Sequence, residues 1–302
     1  MTNRFGFVFL LILLISLSIF FCPTRSSFAD AVKEIGPREI WEPFPKREQH
    51  RPVEFFPSLK NFHFEIAPEA HWFFYEEPSL SVKWKGILYG ARAAIIEQVE
   101  KYPVVAKGEI HYAIGRVDYD GFLSNGTPHT DEGTDWFFDG RMNFGYEFIA
   151  GRTSIIPFLG LGYRYWLDDL ESANAYERDV RYLYSPIGFE INDDLGRGWS
   201  WGIAGEFDFF WRGWVDSHLE DVNASFNTVK NVQDSGYGAR GSLYVRRNLG
   251  KTTSISIEPF VRYWDIDESN TAPVTFTGVL IGSGVEPANH TIESGLQISV
   301  LF

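Results

Sequence analysis

The chain has 302 residues, with 27 basic and 40 acidic side chains, a formal net charge of −13 and an aromatic content of 17%. This length suffices for one large β domain or two ordinary ones, and so many aromatics exclude an intrinsically disordered chain. The acidic balance speaks against nucleic acid as a partner.

The first 29 residues hold Arg4, an apolar stretch from Phe5 to Phe21, and Ser26-Ser27-Phe28-Ala29 before Asp30. A basic start, an apolar middle and a small-residue exit describe a secretory signal peptide cut after Ala29, the alternative being an uncleaved anchor helix. The single cysteine, Cys22, falls inside it and follows Phe21, where a lipoprotein signal wants a small residue. The mature chain then has no thiol, which excludes disulfides, cysteine–zinc sites and cysteine catalysis. Residues 30–60, with prolines at 37, 43, 45, 52 and 57, read as an extended periplasmic leader.

Residues 61–302 carry a different pattern. Phe62, Phe64, Ile66, Ala70, Trp72 and Phe74 alternate with His63, Glu65, Glu69 and His71. The same period of two runs through 104–114, 134–148, 155–165, 199–211, 237–245, 255–263 and 296–302, with weaker versions at 80–94 and 180–191. The clearest stretch is TDWFFDGRMNFGYEF. Its even positions hold Trp136, Phe138, Met142, Phe144, Tyr146 and Phe148, with only Gly140 between them, and its odd ones Asp135, Phe137, Asp139, Arg141, Asn143, Gly145 and Glu147. Gaps near 97–102, 149–153, 192–198 and 248–252 are short, while those near 119–133, 168–178, 213–233 and 266–289 are long and acidic. Apolar faces with aromatics near both ends, on strands longer than a soluble sandwich uses, predict lipid on one side. The expected fold is therefore all-β: a ten-stranded antiparallel transmembrane β-barrel with short periplasmic turns and longer extracellular loops. The even face of 134–148 then meets lipid, and the charged face fills the lumen.

The chain ends GLQISVLF, with apolar residues at every second position before Phe302. This resembles the C-terminal assembly signal of bacterial outer-membrane barrels, which end on an aromatic residue. The resemblance implies insertion into a Gram-negative outer membrane by the assembly machinery, with both termini in the periplasm.

A ten-stranded barrel lies near the size that side chains fill rather than the size that leaves a water channel. Glu65, Glu69, Glu109, Asp139, Glu147, Glu190, Glu206, Asp208 and Glu258 are predicted to point inward. Facing them are Lys107, Arg141, Arg164, Arg212, Arg240, Arg246 and Arg262, so a paired network is expected. A selective channel is the other reading of this lumen. His63, Glu65, Glu69 and His71 on one strand face, with Glu109 and His111 two strands away, invite a metal. Same-face neighbours lie about 7 Å apart on a strand, so a hydrogen-bonded network is expected there instead, and no cofactor.

If the inward parity of the seventh strand continues past Trp211, it carries Arg212, Trp214, Asp216 and His218 to the inner side of the outer rim. An Asp orienting a His that activates water is a workable hydrolytic pair, and acids at Asp131, Glu132 and Asp135 stand on the loop entering the fourth strand. This arrangement resembles the omptins, ten-stranded outer-membrane proteases with an Asp-x-His after the seventh strand and an Asp-x-Asp between the third and fourth. Asp216-Ser217-His218 matches the first motif. Gly133 stands two before Asp135, so the second motif is absent and Asp131 or Glu132 would have to substitute. Lipid-modifying barrels are disfavoured because the strand histidines point inward. The acidic rim also suits divalent-cation bridges to lipopolysaccharide. The sequence thus points to a monomeric barrel with a narrow, charge-filled lumen whose outer loops serve binding or surface maintenance. An omptin-like endopeptidase is the second reading and a small channel the third.

Overall fold

The computed structural model describes residues 62–98, 102–122, 126–172, 175–250 and 252–302. The signal segment, Cys22 and the proline-rich leader lie outside the described residues. Strands β1 (Phe62–Glu77), β2 (Val82–Gln98), β3 (Val104–Phe122) and β4 (Pro128–Tyr146) follow one another by antiparallel pairing. After the short β5 (Phe148–Ala150) come β6 (Thr153–Asp168), β7 (Arg178–Gly196) and β8 (Trp199–Ser217). The small β9 (Val229–Gln233) precedes β10 (Gly236–Asn248) and β11 (Ser254–Ile266). A side hairpin, β12 (Ala272–Phe276) and β13 (Val279–Gly284), then leads to β14 (Asn289–Leu301).

β10 pairs with both β8 and β11, and β14 with both β11 and β1, so ten strands close into a barrel. The seam is sealed beyond the strand end: Phe64 N–H donates to Phe302 O at 2.8 Å, Phe302 N–H donates back to Phe64 O at 2.9 Å, and the two rings stack. Both ends of the barrel segment therefore lie at one rim, here the terminal rim. That rim has the tight turns, where Gly151 and Gly196 take φ of 66° and 82°, a region open to glycine at no steric cost.

Alternation sorts the residues as the sequence reading has it. On β4, Phe137, Asp139 and Asn143 are buried while Phe138, Met142, Phe144 and Tyr146 are exposed on the outside. Trp136 and Tyr146 stand ten residues apart on that face. At ~3.3 Å per residue and a tilt near ~40°, they bracket a belt ~25 Å tall, the height of an outer-membrane apolar band. The chain has the fold of an outer-membrane β-barrel.

Three features depart from the sequence reading. The gap at 119–133 is mostly strand: β3 runs to Phe122 and β4 starts at Pro128, so that hairpin stands above the belt. The inner face also carries more than charges and glycines. Phe73, Tyr75, Trp84, Phe137, Trp166, Tyr182, Tyr184, Phe210 and Trp264 all point inward and are buried, forming an aromatic layer in the half of the lumen nearer the loops. Phe73, Phe137 and Trp166 pack with ring centroids 5.0–5.7 Å apart.

The third departure is a β-bulge in β8. Tyr184 of β7 faces Phe210, but Leu183 faces Arg212, leaving Trp211 as the extra residue. Two successive residues, Trp211 and Arg212, then point outward, and the parity of the strand reverses beyond them. Val215 is fully buried inside, whereas Trp214, Asp216 and His218 follow the outer face. Arg212, expected in the lumen, is instead 52% exposed and pairs with Asp234 at 3.0 Å.

Candidate functional site

Below the aromatic layer the lumen is crossed by interlocked ion pairs. Arg141 reaches Glu109 and Glu206, each at 2.6 Å. Arg240 reaches Asp139 at 2.9 Å and Asp208 at 2.8 Å. Arg262 reaches Glu69 at 3.1 Å and Glu293 at 3.2 Å, and Glu293 also receives Arg164 at 2.5 Å. Arg92 donates to Glu65 and, at 2.8 Å, to Glu109, and its guanidinium stands 3.8 Å from Glu258. Lys107 stands 3.3 Å from Glu190. A glycine makes room for one part of this: a Cβ on Gly162 would collide with the ring of Tyr184, whose hydroxyl accepts from Arg240 at 2.7 Å and donates to Asp139 at 2.8 Å.

The histidine groups that invited a metal are absorbed in the same network. His111 Nε2 lies 2.7 Å from Glu69 and His71 Nδ1 lies 2.9 Å from it, while Arg92 takes Glu65 and Glu109. Two network members, Arg92 and Glu293, were missed in the sequence because they sit where the alternation is weak. Toward the terminal rim the network opens into a cavity of about 90 Å³ lined by His63, Lys107, Glu190, Tyr244 and Arg246 among others.

At the loop rim the lumen is capped by one arginine among acids. Arg178 donates to Glu286 at 2.8 Å and to Glu77 at 3.4 Å, and stands 3.7 Å from Asp168. Its guanidinium lies over the rings of Tyr75, Trp84 and Trp166. Glu286 belongs to the loop between β13 and β14, so this contact ties that loop into the barrel mouth. Burial raises its carboxyl to about 7, against the lowering by Arg178 and with a further rise from Glu77. A group raised in the folded state contributes stability that is full below its unfolded value of 4.5 and lost as the pH climbs through about 7. Amide-exchange protection at 285–289, corrected for intrinsic rates, is expected to fall across that window by on the order of 1–3 kcal/mol. Glu286→Gln should flatten the profile.

The four residues considered for hydrolysis do not converge. Asp135 is fully buried inside and accepts from Trp166 Nε1 at 2.8 Å. Asp131 accepts from the backbone N–H of Ser172 at 3.1 Å and of Glu132 at 2.9 Å. Asp216, on the outer face, pairs with Arg181 at 2.7 Å and stands 3.7 Å from Lys230. His218 has other partners than Asp216: its Nε2 lies 3.0 Å from Asp179 and its Nδ1 3.1 Å from Glu220. Burial works against the charged imidazole, but the hydrogen bonds to Asp179 and Glu220 outweigh it and hold the pKa of His218 above its ordinary value. The β8 bulge is the physical reason for this separation, since it carries 216 and 218 to the face opposite the one that bears Asp135.

No protein-family model matches the chain, and no curated protein matches it. Among solved structures it is similar to the outer-membrane protease OmpT from Escherichia coli, at 8% identity over 80% of this chain and 97% of that one, with a TM-score of 0.51. It is also similar to the transport unit of the autotransporter AIDA-I from Escherichia coli, at 8% identity over 92% and 98% of the two chains, TM-score 0.40. A third is the toluene transporter TodX from Pseudomonas putida, at 7% identity over 82% and 92%, TM-score 0.34. Of these three, the first shares the fold, and at such identity what is shared is barrel architecture rather than a set of site residues.

Proposed function

We propose that the protein is a monomeric integral barrel of a Gram-negative outer membrane, closed to flow, whose loop rim is the working face in binding or surface maintenance. The observation that supports this reading is the set of interleaved arginines and carboxylates at mid-lumen, under a layer of packed aromatic rings. Charges so paired hold each other in place, and opening a path would leave several of them buried and alone. The signal-like pattern of residues 1–29 and the alternation before Phe302 support export and insertion in this reading. The terminal rim then faces the periplasm and the loop rim the outside.

A peptidase reading draws on the likeness in fold to OmpT; weighing against it, Asp216 and His218 have different partners and lie on the face opposite Asp135. The test is conductance. Purified barrel in a planar bilayer is expected to give no steady unitary currents, and steady single-channel steps would overturn the closed lumen.

A further inference from the structure

The outer face of β7 and β8, just above the aromatic belt, brings together side chains that the lumen does not use. Strand pairing runs one step past the end of β8, where His218 N–H donates to Glu177 O at 3.0 Å. Glu177 and His218 are thereby cross-strand neighbours, and Asp179 stands two residues along on the same face. One ligand atom from each of the three lies within 4.8 Å of the others. Tetrahedral donors around a zinc ion, at bond lengths near 2.0–2.1 Å, are about 3.4 Å apart. The 3.0 Å separation of His218 Nε2 and Asp179 Oδ2 is already that close.

The hydrogen bonding around the imidazole points the same way. Glu220 Oε1 faces Nδ1 and is itself fixed by the Thr228 hydroxyl at 2.5 Å. The other oxygen of Asp179 accepts from the Tyr165 hydroxyl. A neutral imidazole carries one hydrogen. With that hydrogen donated from Nδ1 to Glu220, Nε2 turns a lone pair toward a carboxylate oxygen, an arrangement that needs a cation between them. A proton can fill that place, and so can a metal ion. A carboxylate on the second ring nitrogen is the usual support of a metal-bound histidine. The nearest basic groups do not compete for the position, because Arg181 and Lys230 are engaged with Asp216. Asp221 adds a further acid, accepting from Glu177 N–H at 3.1 Å.

We propose that Glu177, Asp179 and His218 form a divalent transition-metal site on the outer rim, with Glu220 as the positioning residue for His218. One imidazole with two carboxylates suits zinc, cobalt or nickel better than magnesium or calcium, which take oxygen alone. Three protein ligands leave a fourth position open to water or to an oxygen anion from the surroundings. The site lies outside the lumen, so it stands whether or not the barrel conducts.

The test uses the refolded barrel in detergent, with zinc alone by calorimetry and cobalt alone by its visible absorption. Both are expected to saturate at one equivalent, and cobalt should give the intense bands of a low-coordinate site. His218→Ala and Asp179→Asn should abolish saturation, Glu220→Gln should weaken it about tenfold or more, and Asp265→Asn, on β11, should leave it unchanged. Circular dichroism and heat-dependent gel mobility establish that each variant is folded. Absence of saturable binding by the folded parent, or binding that survives both His218→Ala and Asp179→Asn, would overturn the site.

Discussion

Arg240→Ala is expected to cost the barrel about 3–5 kcal/mol, read from equilibrium urea unfolding in lipid vesicles. The guanidinium touches Asp139 and Asp208, lies 3.3 Å from Glu206, and accounts for one hydrogen bond of Tyr184. Removing it leaves three buried carboxylates close together, with Arg141 and Arg164 the remaining counter-charges nearby. The loss measures the uncompensated acids more than the worth of the pairs. Neutralising two of them in the same chain, with Asp139→Asn and Asp208→Asn beside Arg240→Ala, should therefore recover a large part of it, since Glu206 keeps Arg141. A loss below ~1 kcal/mol for the single variant would mean that water reaches these acids freely, and the closed cross-section would fail with it.

The second large effect discriminates the two faces of β8. Val215→Asp is expected to cost at least ~3 kcal/mol, because it places an unpaired carboxylate among buried side chains. Asp216→Val, one position along, should cost less, about 1 kcal/mol, in keeping with a half-buried ion pair on the outer face. Unbroken alternation from Glu206 and Asp208 predicts the reverse order, so the same urea titration decides whether the bulge is present. Deleting Trp211 is a useful control. It removes the extra residue while keeping Gly213 and Val215 inside, and the barrel should still form.

That bulge marks the limit of what the sequence discloses. Within the belt the two faces of each strand differ so strongly that strand number, parity and most lumen charges can be read directly. Arg141, Arg164, Arg240 and Arg262 lie where their parity puts them. Arg212 does not, because Trp211 and Trp214 offer an apolar residue on either phase, and one inserted residue leaves no trace in such a pattern. Above the belt, the outer face of the β3–β4 hairpin is exposed and polar rather than apolar. Polar residues then occupy both parities, and strand reads as loop. The aromatic layer did leave a signal: Trp72-Phe73-Phe74-Tyr75, Trp136-Phe137-Phe138 and Phe209-Phe210-Trp211 are runs in which both faces are aromatic at one depth. The association of His218 with Asp179 and Glu177 was out of reach, since it depends on the register of β7 against a strand whose phase has slipped.

The seam between β1 and β14 also bears on how the chain reaches its folded state. Each of the other barrel strands can pair with a neighbour close in sequence, whereas Phe64 and Phe302 are separated by almost the whole folded segment. Joining two points so distant along a flexible chain costs about 5 kcal/mol in closure entropy before any bond is made. Hairpins should therefore form early and the ring should close last. Until it does, β1 and β14 each present an unpaired edge beside a row of lipid-facing aromatics, which is the hallmark of an aggregation-prone intermediate. A chain built this way has to be kept apart from its own copies between synthesis and closure, because both edges of the seam stay open until Phe64 and Phe302 meet.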